Sequence, residues 1–147
     1  MKLLNTIMCA FLLGGLIDLY AQTPVLNVEG GRIEGVVDEE GVTVYKGIPY
    51  AAPPVGDLRW KHPQPVQPWQ GVRKCDRFGA ASLQSKTTKG TFYWKEFYQN
   101  GSPEMSEDCL YLNVWTPAAG KKESKLPVMV WIHGGAFQNG FGHEIEF

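Results

Sequence analysis

Chemistry in this chain gathers at His133-Gly134-Gly135-Ala136-Phe137. Adjacent glycines admit positive φ and let another group come close to the main chain. Two or three N–H groups in such a turn can face one spot, and a cluster of that kind stabilises an oxyanion as it develops. The same residues also describe an ordinary Gly-Gly turn after a strand. His133 stands at the strand end, where a lone histidine rarely binds metal, and the pattern implies no metal or cofactor.

A turn of this kind needs a rigid approach. Val128-Met129-Val130-Trp131-Ile132 is a continuous apolar run rich in β-branched residues, the pattern of a strand covered on both faces. Before it, Leu110, Leu112 and Val114 alternate with Tyr111, Asn113 and Trp115, which is strand periodicity. Ala118 to Lys125 is a charged turn of small residues. The two strands read as an antiparallel pair at the edge of a larger sheet.

Nearer the N-terminus, Val25–Val28, Arg32–Val37 and Val42–Ile48 are short strand-like runs. Gly30-Gly31 and Asp38 to Gly41 separate them, which predicts a small antiparallel meander. Prolines at 49, 53, 54, 63, 65 and 68 then exclude a regular helix or central strand. Such a stretch can be a linker. The interleaved Tyr50, Leu58, Trp60 and Trp69 favour an extended loop pinned to a surface by aromatics. Ser82 to Gly90 reads as an exposed polar loop. Phe92 to Tyr98 reads as a helical turn or two whose aromatics pack locally, and Asn100-Gly101-Ser102-Pro103 breaks the chain.

Residues 1–21 read as a signal peptide. Lys2 is a basic start, Leu3 to Ile17 is largely apolar, and Leu19-Tyr20-Ala21 resembles a cleavage site before Gln22. A membrane anchor is the alternative, but the run is short for a span and Asp18 interrupts its end. Export to a secreted or periplasmic location follows, with no membrane association after cleavage. Cys9 leaves with the signal. Cys75 and Cys109 remain as an even pair in an oxidising compartment. A bridge would close a loop of about 34 residues, worth roughly 3–4 kcal/mol in the chain-entropy model. One buried and one surface thiol is the other possibility.

The composition is that of a globular protein: 44% hydrophobic and 20% charged residues in 147. Fourteen basic against fifteen acidic side chains leave a net charge of −1, with no footprint for nucleic acid.

Four stretches, taken together, resemble the N-terminal part of type-B carboxylesterases, relatives of the cholinesterases. They are Tyr45-Lys46-Gly47-Ile48-Pro49-Tyr50-Ala51-Ala52-Pro53-Pro54-Val55-Gly56, Leu58-Arg59-Trp60, Glu107-Asp108-Cys109-Leu110-Tyr111-Leu112-Asn113-Val114-Trp115, and His133 to Phe137. With its leader the chain looks like a secreted bacterial member. The resemblance implies an α/β fold: residues 22–147 would be the N-terminal part of an α/β-hydrolase domain, here mostly β, a small meander plus the first strands of the main sheet. It implies hydrolysis of small-molecule carboxylic esters by a serine with a histidine and an acid. Gly135 and Ala136 would be the oxyanion-hole amides, with Gly134 forming the turn. It also implies an ion pair between Arg59 and Glu107.

In such proteins the Gly-x-Ser-x-Gly elbow follows the oxyanion loop, and the triad order is serine, acid, histidine. No such elbow occurs here, so neither Ser82, Ser85, Ser102, Ser106 and Ser124 nor His62, His133 and His143 is assigned to the triad. This piece alone is therefore expected to be inactive. The sequence departs from the family pattern at two places. Cys75 lies upstream of Phe78-Gly79, where many relatives place the first cysteine after it. Ala136 stands where many have glycine. A non-catalytic adhesion protein on the same fold is the alternative function.

Overall fold

The computed structural model describes residues 23–98 and 101–144. The expected signal peptide lies outside these residues.

Two three-stranded sheets carry the fold. Strand β1 (Leu26–Val28) turns through Gly30-Gly31 into β2 (Gly31–Glu34), and the two pair antiparallel. Arg32 to Val37 is not one strand. It divides at Gly35, where a Cβ would lie 2.4 Å from the Val44 carbonyl and 2.9 Å from the Tyr45 ring. The chain therefore passes the next strand at a distance only glycine allows. It enters the second sheet as β3 (Val36–Val37), which pairs antiparallel with β4 (Thr43–Pro49). Asp38 closes that hairpin, its carboxylate accepting from the Glu40 and Val42 amides at 3.0 and 2.8 Å.

A third strand of the first sheet, β5 (Val72–Lys74), runs parallel to β2. The third of the second sheet is β6 (Tyr111–Thr116), antiparallel to β4. A register shift between Tyr45 and Ile48 in β4 joins the two sheets. There the Lys46 amide donates to the Cys75 carbonyl at 2.9 Å, and Gly47, at φ +69°, donates to the Asn113 side chain at 2.9 Å. Ile33, Tyr45, Ile48 and Cys75 fill the space beneath, with Leu26, Val28 and Trp69 against them.

The Pro-rich segment is a pinned loop, held as expected by Trp69 but not by Tyr50 or Trp60. Trp69 lies against Gly30 and Gly31 and its indole N–H donates to the Arg32 carbonyl at 2.9 Å. Tyr50 is mostly exposed, and Trp60, at φ +58°, is fully so. Backbone bonds hold the rest, from Tyr50 to the Leu110 carbonyl and from Ala52 to the Gln64 carbonyl.

Helix α1 (Phe92–Phe97) starts on Thr91, whose hydroxyl accepts from the Trp94 amide. Its aromatics form a second core with Ala81, Tyr98 and Phe141, Tyr98 meeting Phe141 edge-on at 5.2 Å.

Residues Val128 to Ile132 do not pair with β6 and belong to no strand among the described residues. Turns at Ala118–Lys121 and Lys121–Ser124, followed by Lys125 at φ +44°, carry the chain away from β6. Val128, Met129, Val130 and Ile132 are consequently 77–86% exposed, where the sequence predicted cover on both faces.

Candidate active site

The turn at 133–140 is built from left-handed backbone. Gly135 has φ +110°, Ala136 +53°, Phe137 +60° and Gly140 +112°. A Cβ on Gly135 would fall 1.8 Å from the Asn139 carbonyl oxygen, so no larger residue fits there as the loop stands. Ala136 holds a conformation that costs an L-residue about 1–2 kcal/mol.

The Gly135 carbonyl accepts from Gln138 at 3.0 Å and from Asn139 at 3.2 Å. That carbonyl and the Ala136 N–H are opposite ends of one planar peptide, so both donors fix the direction of the Ala136 amide. Neither the Gly135 nor the Ala136 N–H donates to another described residue. Ala136 is exposed, and Gly134 has open space where a Cβ would stand. Among the described residues, the turn thus offers two consecutive N–H groups with unused hydrogen-bonding capacity, the requirement for holding an anionic oxygen.

Its far end is anchored. Phe141 is buried in the second core, and its amide donates to the Glu144 carboxylate at 3.2 Å. Gln84 grips the neighbouring residue, accepting from the Gly140 N–H at 2.7 Å and donating to the Gly140 carbonyl at 3.0 Å. Sequence reasoning passed over Gln84, a polar residue in a polar run whose partner lies 56 positions away.

Arg59 and Glu107 meet in a two-point pair, Nε to Oε1 and the second guanidinium nitrogen to Oε2, both at 2.5 Å. The arginine hydrogen bond, followed by its charge, holds the Glu107 carboxyl below the usual range and raises the guanidinium in return. The pair stands beside an open groove of about 230 Å³ lined by Pro54, Trp60, Leu83 and Cys109.

Cys75 and Cys109 are not bridged; both are free thiols. Cys75 follows β5 inside the first core, its amide donating to the Glu34 carbonyl at 2.7 Å, while Cys109 is half-buried beside the Arg59–Glu107 groove. Burial is the first cause raising both thiol pKa values, and Asp108 and Glu107 add to it at Cys109.

The sequence profile of the carboxylesterase family matches residues 22–146. The chain belongs to that family. It is 42% identical over 120 residues to the para-nitrobenzyl esterase of Bacillus subtilis (strain 168), a match covering 82% of this chain and 23% of that protein. Against the fumonisin B1 esterase of Sphingopyxis macrogoltabida it is 41% identical over 145 residues, 94% of this chain and 24% of that one. The medium-chain fatty acyl-CoA hydrolase precursor of Anas platyrhynchos is 42% identical over 118 residues, covering 78% and 21%. Among solved structures, a PNB esterase superposes with a TM-score of 0.70 at 39% identity, covering 83% of this chain and 23% of that one. The small strand-rich sheets are therefore part of an α/β-hydrolase fold. The chain spans a fifth to a quarter of the length of these curated relatives.

Proposed function

We propose that the complete protein hydrolyses small-molecule carboxylic esters by a serine mechanism, and that this chain supplies the oxyanion loop. The observation that carries the reading is the pair of N–H groups at Gly135 and Ala136, which donate to no other described residue, in a carboxylesterase-family chain. A serine outside this chain attacks the ester carbonyl and a histidine steadied by an acid takes its proton. Gly135 and Ala136, with a third N–H after the serine, bind the tetrahedral oxyanion. The Ala136 methyl narrows the acyl side of the site relative to a glycine.

The relatives' names supply the probe class: para-nitrobenzyl, fumonisin and acyl-CoA esters differ widely, so simple p-nitrophenyl esters are the first substrates. Alanine in place of the elbow serine should reduce kcat by about 10⁶-fold. A complete protein with no elbow serine, or one whose turnover ignores its removal, overturns the reading in favour of a binding role.

Export is part of the same proposal. The Lys2 start, the apolar run and Leu19-Tyr20-Ala21 support cleavage before Gln22 and a secreted or periplasmic enzyme. Mass spectrometry of the exported protein should find Gln22 as the N-terminus. An intact Met1 on the mature protein rejects export by this route.

A further inference from the structure

The Ala136 amide is aimed by the hydrogen bonds on the Gly135 carbonyl. The Gly135 amide has its own counterpart. Its N–H shares a planar peptide with the Gly134 carbonyl, so whatever holds that oxygen aims the N–H. His133 Nδ1 lies 2.8 Å from the Gly134 oxygen. A carbonyl only accepts, so the hydrogen sits on Nδ1.

Space for this contact is made at Gly140. A Cβ there would stand 2.4 Å from His133 Nδ1 and 2.7 Å from the Gly134 oxygen. Gly140 is in turn held at both its N–H and its carbonyl by the Gln84 side chain. Three parts of the sequence thus meet at one peptide plane. Gln84 fixes Gly140, Gly140 seats the His133 ring, and the ring fixes the Gly134 carbonyl.

We propose that His133 and Gln84 are positioning residues that orient the Gly135 N–H for the oxyanion. Neither touches the reacting atoms. The inference rests on the serine-hydrolase reading above and adds two side chains to it. Because the bound ester carries no oxyanion and the charge develops only as the serine adds, misdirecting its donor lowers kcat and leaves ground-state binding of the ester little changed.

The test is made in the complete protein with p-nitrophenyl ester as substrate and circular dichroism to verify folding. His133→Gln moves the amide nitrogen to the place of Nε2 and should lower kcat by about 10²-fold with KM nearly unchanged. His133→Asn puts an amide nitrogen where Nδ1 was and should recover most of the loss. Gln84→Ala should lower kcat in the same sense. The ¹⁵N shifts of histidine-labelled wild-type protein should show Nδ1 of His133 protonated. Full kcat in folded His133→Gln, an Asn variant no better than Gln, or a neutral His133 protonated at Nε2 overturns the proposal. If His133→Gln does not fold, the tautomer and the Gln84→Ala rate decide it. A wild-type protein with no esterase activity overturns the functional reading and this one with it. Wild-type kcat in folded His133→Gln overturns this one alone.

Discussion

Arg59 and Glu107, 48 residues apart, face each other with two parallel N–H to oxygen contacts. The planar guanidinium matches the carboxylate edge, which a lysine cannot do. Arg59 sits at the end of a short 3-10 turn (Gly56–Leu58), so the pair ties the Pro-rich loop to the segment leading into β6. Both side chains keep contact with water, 56% and 34% exposed, so the pair sets the loop's position more than it adds stability.

A pH dependence follows. Glu107 is held below its ordinary value when folded, and the cause is Arg59. Its contribution is therefore complete above the unfolded carboxyl pKa of about 4.3 and is lost as pH falls through the lower folded value. The difference in urea midpoint between wild type and Glu107→Gln should be constant near neutrality and vanish in strong acid. A difference that grows on acidification would contradict the assignment. Arg59→Lys should recover only part of what Arg59→Ala loses.

The thiols make a second prediction. Cys75 is fully buried and Cys109 half-buried, and burial raises both pKa values. Alkylation requires the thiolate. Iodoacetamide at neutral pH should modify Cys109 slowly and Cys75 only on unfolding, with both accelerating as pH rises. Non-reducing peptide mapping should recover both as free cysteines. A peptide linking the two would show that the oxidised protein rearranges β5 or the Glu107–Leu110 segment.

The third prediction concerns Val128 to Ile132. An apolar run that pairs with no strand among the described residues, with Val128, Met129, Val130 and Ile132 exposed, is a template for association. Residues 22–147 expressed alone should self-associate, show concentration-dependent light scattering and hydrolyse no p-nitrophenyl ester. A charge in the middle of the run, Val130→Lys, should reduce the scattering while leaving the β4–β6 pairing intact. Scattering equal in both proteins would place the sticky surface elsewhere, and Phe137 or Trp60, both fully exposed, would be next to test.

These outcomes mark what a sequence makes legible. Gly134-Gly135 was readable because a glycine pair after an apolar run has few structural uses, and Gly135 does occupy a φ no larger residue would choose there. The β3–β4 hairpin was readable from the Asp38–Gly41 turn chemistry. Strand β5 was not, because Val72–Lys74 is three residues whose strand state is decided by parallel pairing with β2. Gln84 was invisible for a related reason: its importance lies wholly in a partner 56 residues on. The run at 128–132 shows the converse. Its pattern encodes a buried strand, but burial is a property of neighbours, and no strand among the described residues pairs with it, leaving Val128, Met129, Val130 and Ile132 exposed.

The last prediction separates Gly135 from the alanine beside it. Ala136, at φ +53°, carries left-handed strain that glycine would not. Ala136→Gly keeps the N–H and should leave kcat near wild type while making the loop easier to form. Glycine's larger unfolded-state entropy offsets part of that gain, leaving a net change of about 1 kcal/mol or less. Gly135→Ala should behave oppositely. Its Cβ would collide with the Asn139 carbonyl at 1.8 Å, and that is backbone, which cannot swing aside as a flexible side chain would. The Gln138 and Asn139 bonds to the Gly135 carbonyl would break, and with them the aim of the Ala136 amide. Loss of one oxyanion donor costs about 10²–10³-fold in kcat, and Gly135→Ala should reach at least that. Ala136→Pro removes the N–H, but proline is locked near φ −65°, far from +53°, so it rebuilds the turn as well. Steady-state kinetics of the complete protein with Ala136→Gly and Gly135→Ala side by side therefore give the cleaner measurement. Equal rates in the two variants would remove this turn from the reaction.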